Sequence, residues 1–250
     1  MIVLFTDFGL EGPYIGQMKA ILARQASNKP LIDLFSDAPA CNPKASAYLL
    51  AAYAEEFPLD TVFLCVVDPG VGGAERRPAM MRASGRWFVG PDNGLFDIVA
   101  RRGSHVEWWQ IGWRPPRLSA SFHGRDLFAP VAAQLALGAL PSDDLLAGAP
   151  LTWGIETGWP DDLYEVVYVD HFGNAMTGIR ATSLSADAIL IARNDMFRQA
   201  RTFADVPPGQ GFWYENANGL VEIAVNQGRA DEILGLKVGD VIAVPPPRAA

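Results

Sequence analysis

Three short, predominantly apolar runs, at residues 1–5, 31–35 and 61–67, constrain the fold of this chain more than any other feature. A strand with one wet face must alternate polar and apolar residues, so such a run marks a strand covered on both faces. Between the runs, Ile15, Met18, Ile21 and Leu22 recur at helical spacing, as do Ala45, Leu49, Ala52 and Tyr53. This βαβαβ order predicts a mostly parallel sheet with helices on its faces, a Rossmann-like layering. After Asp68 the rhythm changes. Segments 79–82 and 86–89 flank Ala83-Ser84-Gly85 and predict a β-hairpin, and 95–101 and 127–137 read as helices.

Residues 149–160, rich in Gly, Pro and Trp, read as a linker. They divide an α/β domain (1–148) from a smaller C-terminal domain (161–250). In the latter, 163–169, 188–193, 220–225 and 241–244 are short strands separated by turns, and Leu236-Lys237-Val238-Gly239-Asp240-Val241 is a turn entering a strand. The expectation is an all-β, barrel-like domain. Pro245-Pro246-Pro247 begins a tail expected to fray.

Composition narrows the partners. Twenty Lys and Arg against 28 Asp and Glu give a net charge of -8, which repels phosphate backbones and anionic lipid and argues against nucleic acid and membrane surfaces. No stretch approaches the ~20 apolar residues of a membrane span. The apolar start breaks at Thr6-Asp7 without a basic leader, and reads as a first strand and not a signal peptide. The two cysteines, Cys41 and Cys65, show neither pairing pattern nor metal spacing. A cytoplasmic protein is expected.

In an open parallel sheet, ligands bind beyond the carboxyl ends of the strands. Thr6-Asp7-Phe8-Gly9 follows the first strand and Val67-Asp68-Pro69-Gly70-Val71-Gly72 the third, which puts two acidic loops on one rim. Alone, either Asp can simply start a turn or cap a helix. Gly70-Val71-Gly72-Gly73-Ala74-Glu75 lacks the third glycine and the following helix of a dinucleotide fingerprint, so its glycines read as close backbone approach to a ligand and a turn with positive φ. Phe122-His123-Gly124-Arg125-Asp126 holds one of only three histidines. There Asp126 reads as a cap for the helix from Leu127, with Arg125 pairing it. Asp92-Asn93-Gly94 reads as a turn and helix entry. Asp170-His171-Phe172-Gly173-Asn174 and Tyr214-Glu215-Asn216-Ala217-Asn218-Gly219 are each a turn or a polar ligand loop, and the Trp pair at 108 and 109 reads as core or interface.

In this order, these segments resemble the S-adenosylmethionine hydroxide adenosyltransferases, also called adenosylmethionine hydrolases, which are related to the nucleophilic fluorinase and chlorinase. Met18-Lys19, Arg76-Arg77-Pro78, Pro91-Asp92-Asn93-Gly94-Leu95, and Asn218-Gly219-Leu220 through Ala224-Val225-Asn226 extend the likeness over nearly the whole chain. The resemblance implies a homotrimer with the nucleoside substrate bound between the N-terminal domain of one subunit and the C-terminal domain of the next. It implies an Asp-Arg-His triad of Asp68, His123 and an arginine; Ala74 and its neighbours leave the register open between Arg76 and Arg77, and Arg76, first of the run, is favoured. It further implies Asp7 as the holder of the ribose hydroxyls and Tyr14 as a substrate contact. Asp170, Phe172 and Asn174 fall on the methionine and adenine contacts, and Ala217, Asn218, Val225 and Gln227 on the adenine rim. Gly12 stands where many relatives carry an Asp toward the amino acid, and Glu11 can substitute for it.

The residue types suit the chemistry. A sulfonium departs as a neutral thioether and needs no general acid, so the enzyme must orient a water and accept its developing proton. No metal and no cofactor is expected, with S-adenosylmethionine the substrate. Three other readings compete. A halogenase needs a dehydrated pocket free of nearby negative charge, and Asp68 and the short hairpin at 83–85, which leaves no room for the insert of the fluorinating branch, oppose it. A metal-dependent phosphoesterase would use Asp7, Asp68, Asn93, His123 and Asp126, but the histidines lack ligand spacing. A non-catalytic adenosine or S-adenosylmethionine sensor would bind without turnover.

Overall fold

A computed structural model describes residues 1–73, 75–141, 151 and 157–245. The chain falls into two compact units, Met1–Gly158 and Trp159–Ala250. Most of the expected linker, and the tail beyond Pro245, lie outside the described residues.

The first unit runs β1 (Ile2–Thr6), α1 (Tyr14–Gln25), β2 (Leu31–Phe35), α2 (Pro43–Tyr53), β3 (Val62–Val66), β4 (Pro78–Ala83), β5 (Arg86–Pro91), α3 (Asp97–Arg102), β6 (Glu107–Gln110) and α4 (Ala129–Ala136). Its six strands form one sheet in the order β2-β1-β3-β5-β4-β6. The first four are mutually parallel, and β4 runs against both β5 and β6. Every residue of β1 and β3 is buried, as their unbroken apolar runs require. On one face Ile2, Leu4, Val62, Leu64 and Val66 meet Met18 and Leu22 of α1 and Val131 and Leu135 of α4. On the other, Phe63 stacks on Phe88 with centroids 5.0 Å apart, and α2 packs against α3. Each such fully buried side chain contributes roughly 1.5–3 kcal/mol.

The strand at 31–35 differs from expectation. β2 is the sheet edge, so only Phe35 is buried while Asp33 is exposed and pairs with Lys19 of α1. The hairpin turn is the two residues Ser84 and Gly85, with φ 47° and 75°, the mirror-image turn that matches strand twist. The Trp108-Trp109 pair belongs to β6, opposite Met81 and Met80. Helix α2 begins as its sequence dictates, with Asn42 Oδ1 accepting the Ala45 N–H at 3.0 Å and Pro43 in the first turn.

The second unit contains β7 (Leu163–Val169), β8 (Ala175–Arg180), β9 (Leu190–Ala192), β10 (Asp195–Phe197), β11 (Gly211–Glu215), β12 (Leu220–Val225), the short α5 (Ala230–Ile233) and β13 (Ile242–Ala243). They make two antiparallel sheets, β11-β12-β8-β7 and β10-β9-β13. Ladder pairing stops at β7 and β11, and single bridges, Glu165 to Val241 and Gln199 to Trp213, join the edges of the two sheets; the all-β character expected of this unit is present, as two bridged sheets. Val166, Ile179, Leu190, Trp213, Ile223 and Ile242 fill the space between them. Among the described residues no helix is long and apolar enough to cross a membrane.

Candidate active site

Strands β1 and β3 are neighbours, yet the chain leaves β1 toward β2 on one side and returns to β3 on the other. Such a switch point opens a crevice at the carboxyl ends of the strands, and Asp7 and Asp68 stand there. Asp7 accepts the Cys41 N–H on Oδ2 at 2.8 Å. The Asp68 side chain is 3% exposed, with Arg76 Nε 2.9 Å from Oδ1. That contact is an ion pair whose N–H is not aligned for a hydrogen bond. Oδ1 also accepts the Gly70 N–H at 3.2 Å, whereas Oδ2 is buried without a hydrogen-bond partner.

Arg77 points elsewhere, its Nη2 2.6 Å from Oδ2 of Asp92. Arg76 is therefore the arginine that meets Asp68. The glycines are also required by the chain's own packing here. A Cβ on Gly70 would fall 2.1 Å from Nη2 of Arg76, and one on Gly72 (φ +80°) 2.5 Å from the Ala120 carbonyl oxygen. The positive φ is present at Gly72, and these close approaches are to an arginine and to the chain's own backbone. Asn93 donates to the Val67 carbonyl at 2.9 Å and accepts the Leu95 N–H at 3.3 Å, which fixes the end of β3 as a turn residue should.

His123 precedes a π-helical turn at Gly124–Phe128, and α4 starts only at Ala129. Asp126 is consequently not the expected cap of that helix. It accepts the Ser119 N–H at 2.8 Å and the Arg125 guanidinium at 2.6 and 3.0 Å. Arg125 also donates to Gln17 Oε1 at 2.8 Å and lies over the Phe122 ring at 5.1 Å. Phe122, Phe8 and Tyr14 form an aromatic trio with centroids 5.4–5.8 Å apart. These elements enclose a cleft of about 650 Å³ lined by Asp7, Phe8, Tyr14, Asp68, Phe122 and His123, a size suited to small-molecule ligands.

Burial pushes the Asp68 carboxyl above the usual carboxylate range, with Asp7 adding to the rise and Arg76, the Gly70 N–H and His123 opposing it. Asp7 is likewise raised by burial, against the pull of the Cys41 N–H. Asp126 moves the other way, held down chiefly by the Arg125 hydrogen bonds. A charge on His123 acts on both Asp68 and Asp126.

The second unit has its own cleft of about 700 Å³, where Asp170, Phe172, Asn174, Val225 and Gln227 meet Tyr214 and Arg229. The 170–174 turn is tied by Asn174, whose N–H and Nδ2 donate to the Asp170 carboxylate at 2.8 and 3.1 Å. Phe172 is 72% exposed. Ala217 and Asn218 do not line this cleft but form the turn between β11 and β12. Gln17, Ser119, Arg125 and Arg229 are cleft residues to which sequence reasoning gave no ligand role, and Tyr214 opens a segment read as either a turn or a polar ligand loop. Arg125 and Tyr214 at least fell inside quoted motifs.

Among the described residues no group of three or more His, Cys, Asp and Glu is placed to hold a metal ion. Two members of the phosphoesterase set, Asn93 and Asp126, have their side chains turned to structural partners.

The fold and clefts define a two-domain α/β protein with a buried carboxylate–arginine pair and a histidine at a sheet switch point. The chain belongs to the SAM (S-adenosylmethionine) hydroxide adenosyltransferase family: residues 2–145 match its N-terminal domain and 164–243 its C-terminal domain. A Thermus thermophilus protein named (R)-S-adenosyl-L-methionine hydrolase is 40% identical over 95% of this chain and 96% of its own. One of the same name from Salinispora arenicola is 39% identical over 96% and 95%. Among solved structures, an uncharacterized conserved protein from Thermotoga maritima superposes with a TM-score of 0.87 at 33% identity, covering 98% of this chain and all of that one. A conserved hypothetical protein from Thermus thermophilus gives 0.74 at 34%, covering 98% and 99%.

Proposed function

We propose that this chain is an enzyme that hydrolyses S-adenosylmethionine to adenosine and L-methionine. The observation that carries the reading is the buried, unpartnered Oδ2 of Asp68 at the switch point, on a carboxylate fixed by Arg76 and the Gly70 N–H. Such an oxygen is an acceptor for a water that has few other partners. Attack of that water at the ribose C5′ forms the C5′–O bond and breaks the C5′–S bond. The bonding pair goes to sulfur, the sulfonium becomes a neutral thioether, and the water loses one proton toward Asp68. Burial strengthens Asp68 as a base by raising its pKa, and general-base assistance is worth about 10²–10⁴-fold. His123 and Arg76 steady the carboxylate, and alignment of water with the C–S bond adds the larger effect.

The finer assignments rest on the same reading. Asp7 holds the ribose hydroxyls and Tyr14 packs against the substrate, while the second unit's cleft recognises the amino acid and base through Asp170, Phe172, Asn174, Val225 and Gln227. Ala217 and Asn218 serve through their turn, and neither metal nor cofactor takes part. A homotrimer in which one subunit's first cleft faces a neighbour's second cleft completes the site. The relatives' name specifies the (R) form, and we take that to be the preferred epimer. Two free thiols, Cys41 and Cys65, support a cytoplasmic setting.

The test is incubation of pure protein with each sulfonium epimer in ¹⁸O-water containing chloride, followed by mass spectrometry. Adenosine labelled at its 5′ oxygen, with methionine in equal amount, is the expected product. Chlorodeoxyadenosine as main product would establish the halogenase instead, and tight binding without turnover would establish the sensor. Asp68→Ala is expected to bind but not turn over.

A further inference from the structure

Glu222 stands in the middle of β12 with only 2% of its surface exposed, and three neutral donors converge on it. Tyr214, its direct partner across the β11–β12 pair, donates its hydroxyl to Oε1. Asn216 Nδ2 donates to Oε2 at 2.9 Å, and the Asn174 amide lies near enough to the same carboxylate to help hold its pKa down. A buried acid is costly to keep, and burial does push the Glu222 carboxyl up against the pull of these donors. An apolar residue would fill the middle of a strand at less cost, so the question is what the carboxylate does.

Two of the three donors line the second cleft, and the third, Asn216, holds the turn that follows β11. Asn174 Nδ2 donates to Asp170 at 3.1 Å, so its amide nitrogen faces two carboxylates that can only accept. That fixes the amide orientation and leaves Oδ1 as the acceptor free to meet a ligand N–H or O–H. Tyr214 and Asn174 both line the cleft. Asn216 Oδ1 accepts the Asn218 and Leu220 N–H groups, each at 3.0 Å, and thereby holds the β11–β12 turn.

We infer that Glu222 is a positioning residue for ligand recognition: its carboxylate sets the Asn174 amide, the Tyr214 hydroxyl and, through Asn216, the 216–220 turn. The inference rests on the proposal that the second cleft takes up S-adenosylmethionine. Because the reacting groups lie in the first unit, Glu222 acts on binding and not on the chemical step.

The experiment measures KM and kcat for S-adenosylmethionine in Glu222→Gln, in Glu222→Gln combined with Asn216→Asp, and in Tyr214→Phe, alongside wild type. Glu222→Gln puts an amide NH₂ against converging donors, and KM is expected to rise about tenfold with kcat within about twofold. The double variant restores one acid–amide pair with the roles exchanged and is expected to recover most of that loss. An unchanged KM in Glu222→Gln, a joint fall of kcat and kcat/KM, or no recovery in the double variant would overturn the inference. If Glu222→Gln does not fold, Tyr214→Phe decides, with a rise in KM of about threefold expected and none overturning. Wild-type protein without turnover would instead sink the hydrolase reading.

Discussion

Asp68→Asn separates the demands of folding from those of catalysis at one atom. In the folded chain burial raises the Asp68 carboxyl despite Arg76, the Gly70 N–H and His123, so desolvation outweighs all the favourable interactions together. The folded state therefore holds this proton more tightly than the unfolded state does. The resulting stability is fully present below about pH 4, the unfolded carboxylate range, and is lost as pH rises through the higher folded value. At neutral pH the ionised Asp68 thus burdens the fold, and a neutral isostere removes the burden. The amide oxygen can still accept the Gly70 N–H, and Arg76, 21% exposed, retains access to water. A gain of about 0.5–2 kcal/mol is typical when a functional compromise is relieved, and each kcal/mol moves the melting temperature of a unit this size by ~2–4 °C. Turnover should fall by about 10²–10⁴-fold with the loss of the base. Thermal melts from pH 4 to 8, paired with assays of adenosine release, test both halves. A variant that melts lower than wild type at pH 8, or that keeps turnover within about tenfold, would refute the reasoning.

Gly70→Ala places a Cβ 2.1 Å from Nη2 of Arg76; the guanidinium must swing off Asp68, and kcat should drop about tenfold or more with circular dichroism unchanged. Arg76→Ala should abolish measurable turnover. Arg77→Ala instead takes a cation from Asp92, whose side chain is 1% exposed, and should lower stability by about 1–3 kcal/mol in denaturant melts while the catalytic constants of the folded fraction stay near wild type. The pH profile of kcat/KM should show an acid limb above the ordinary carboxylate range, because Asp68 and Asp7 are both raised by burial. A limb at or below pH ~4 would remove Asp68 as the base.

The sequence was most informative where burial is uniform. β1 and β3 lie between helical layers, so their apolar runs had no alternation to confuse, and β12 matches the expected 220–225 strand because it pairs on both sides. Strands with mixed composition stayed hidden. β6 is four residues with polar ends, β8 carries Thr177 and Gly178, and β10 is three residues long. The rim position of Asp7 and Asp68 followed from strand order, a local inference. Choosing between Arg76 and Arg77 did not, because it depends on Asp92 claiming one of them across the β4–β5 pair. Asp126 misled for a related reason: its neighbour Arg125 and the distant Ser119 N–H hold it away from the helix start. Glu222 gave no signal, since one acid in an apolar strand reads as a solvent-facing position and only its cross-strand partner reveals otherwise.

The charges of the first cleft favour a cation with a neutral nucleophile. Arg125 is committed to Asp126 and Arg77 to Asp92, so the cations of both motifs are largely spent on structural pairs. Burial and the nearby Asp7 raise the Asp68 carboxyl, and Arg76, the Gly70 N–H and His123 offset this only in part. A sulfonium supplies the missing positive charge, and water brings none of the wrong sign. A halide seated ~4 Å from the Asp68 carboxylate would meet a repulsion of about 4 kcal/mol at an effective dielectric of 20, close to a thousandfold in occupancy. Once the C5′–S bond breaks, the thioether is neutral and the attraction that drew the substrate in has gone. On the proposed mechanism, the same two carboxylates that burden the fold at neutral pH select the substrate, exclude the competing nucleophile and let the sulfur product leave.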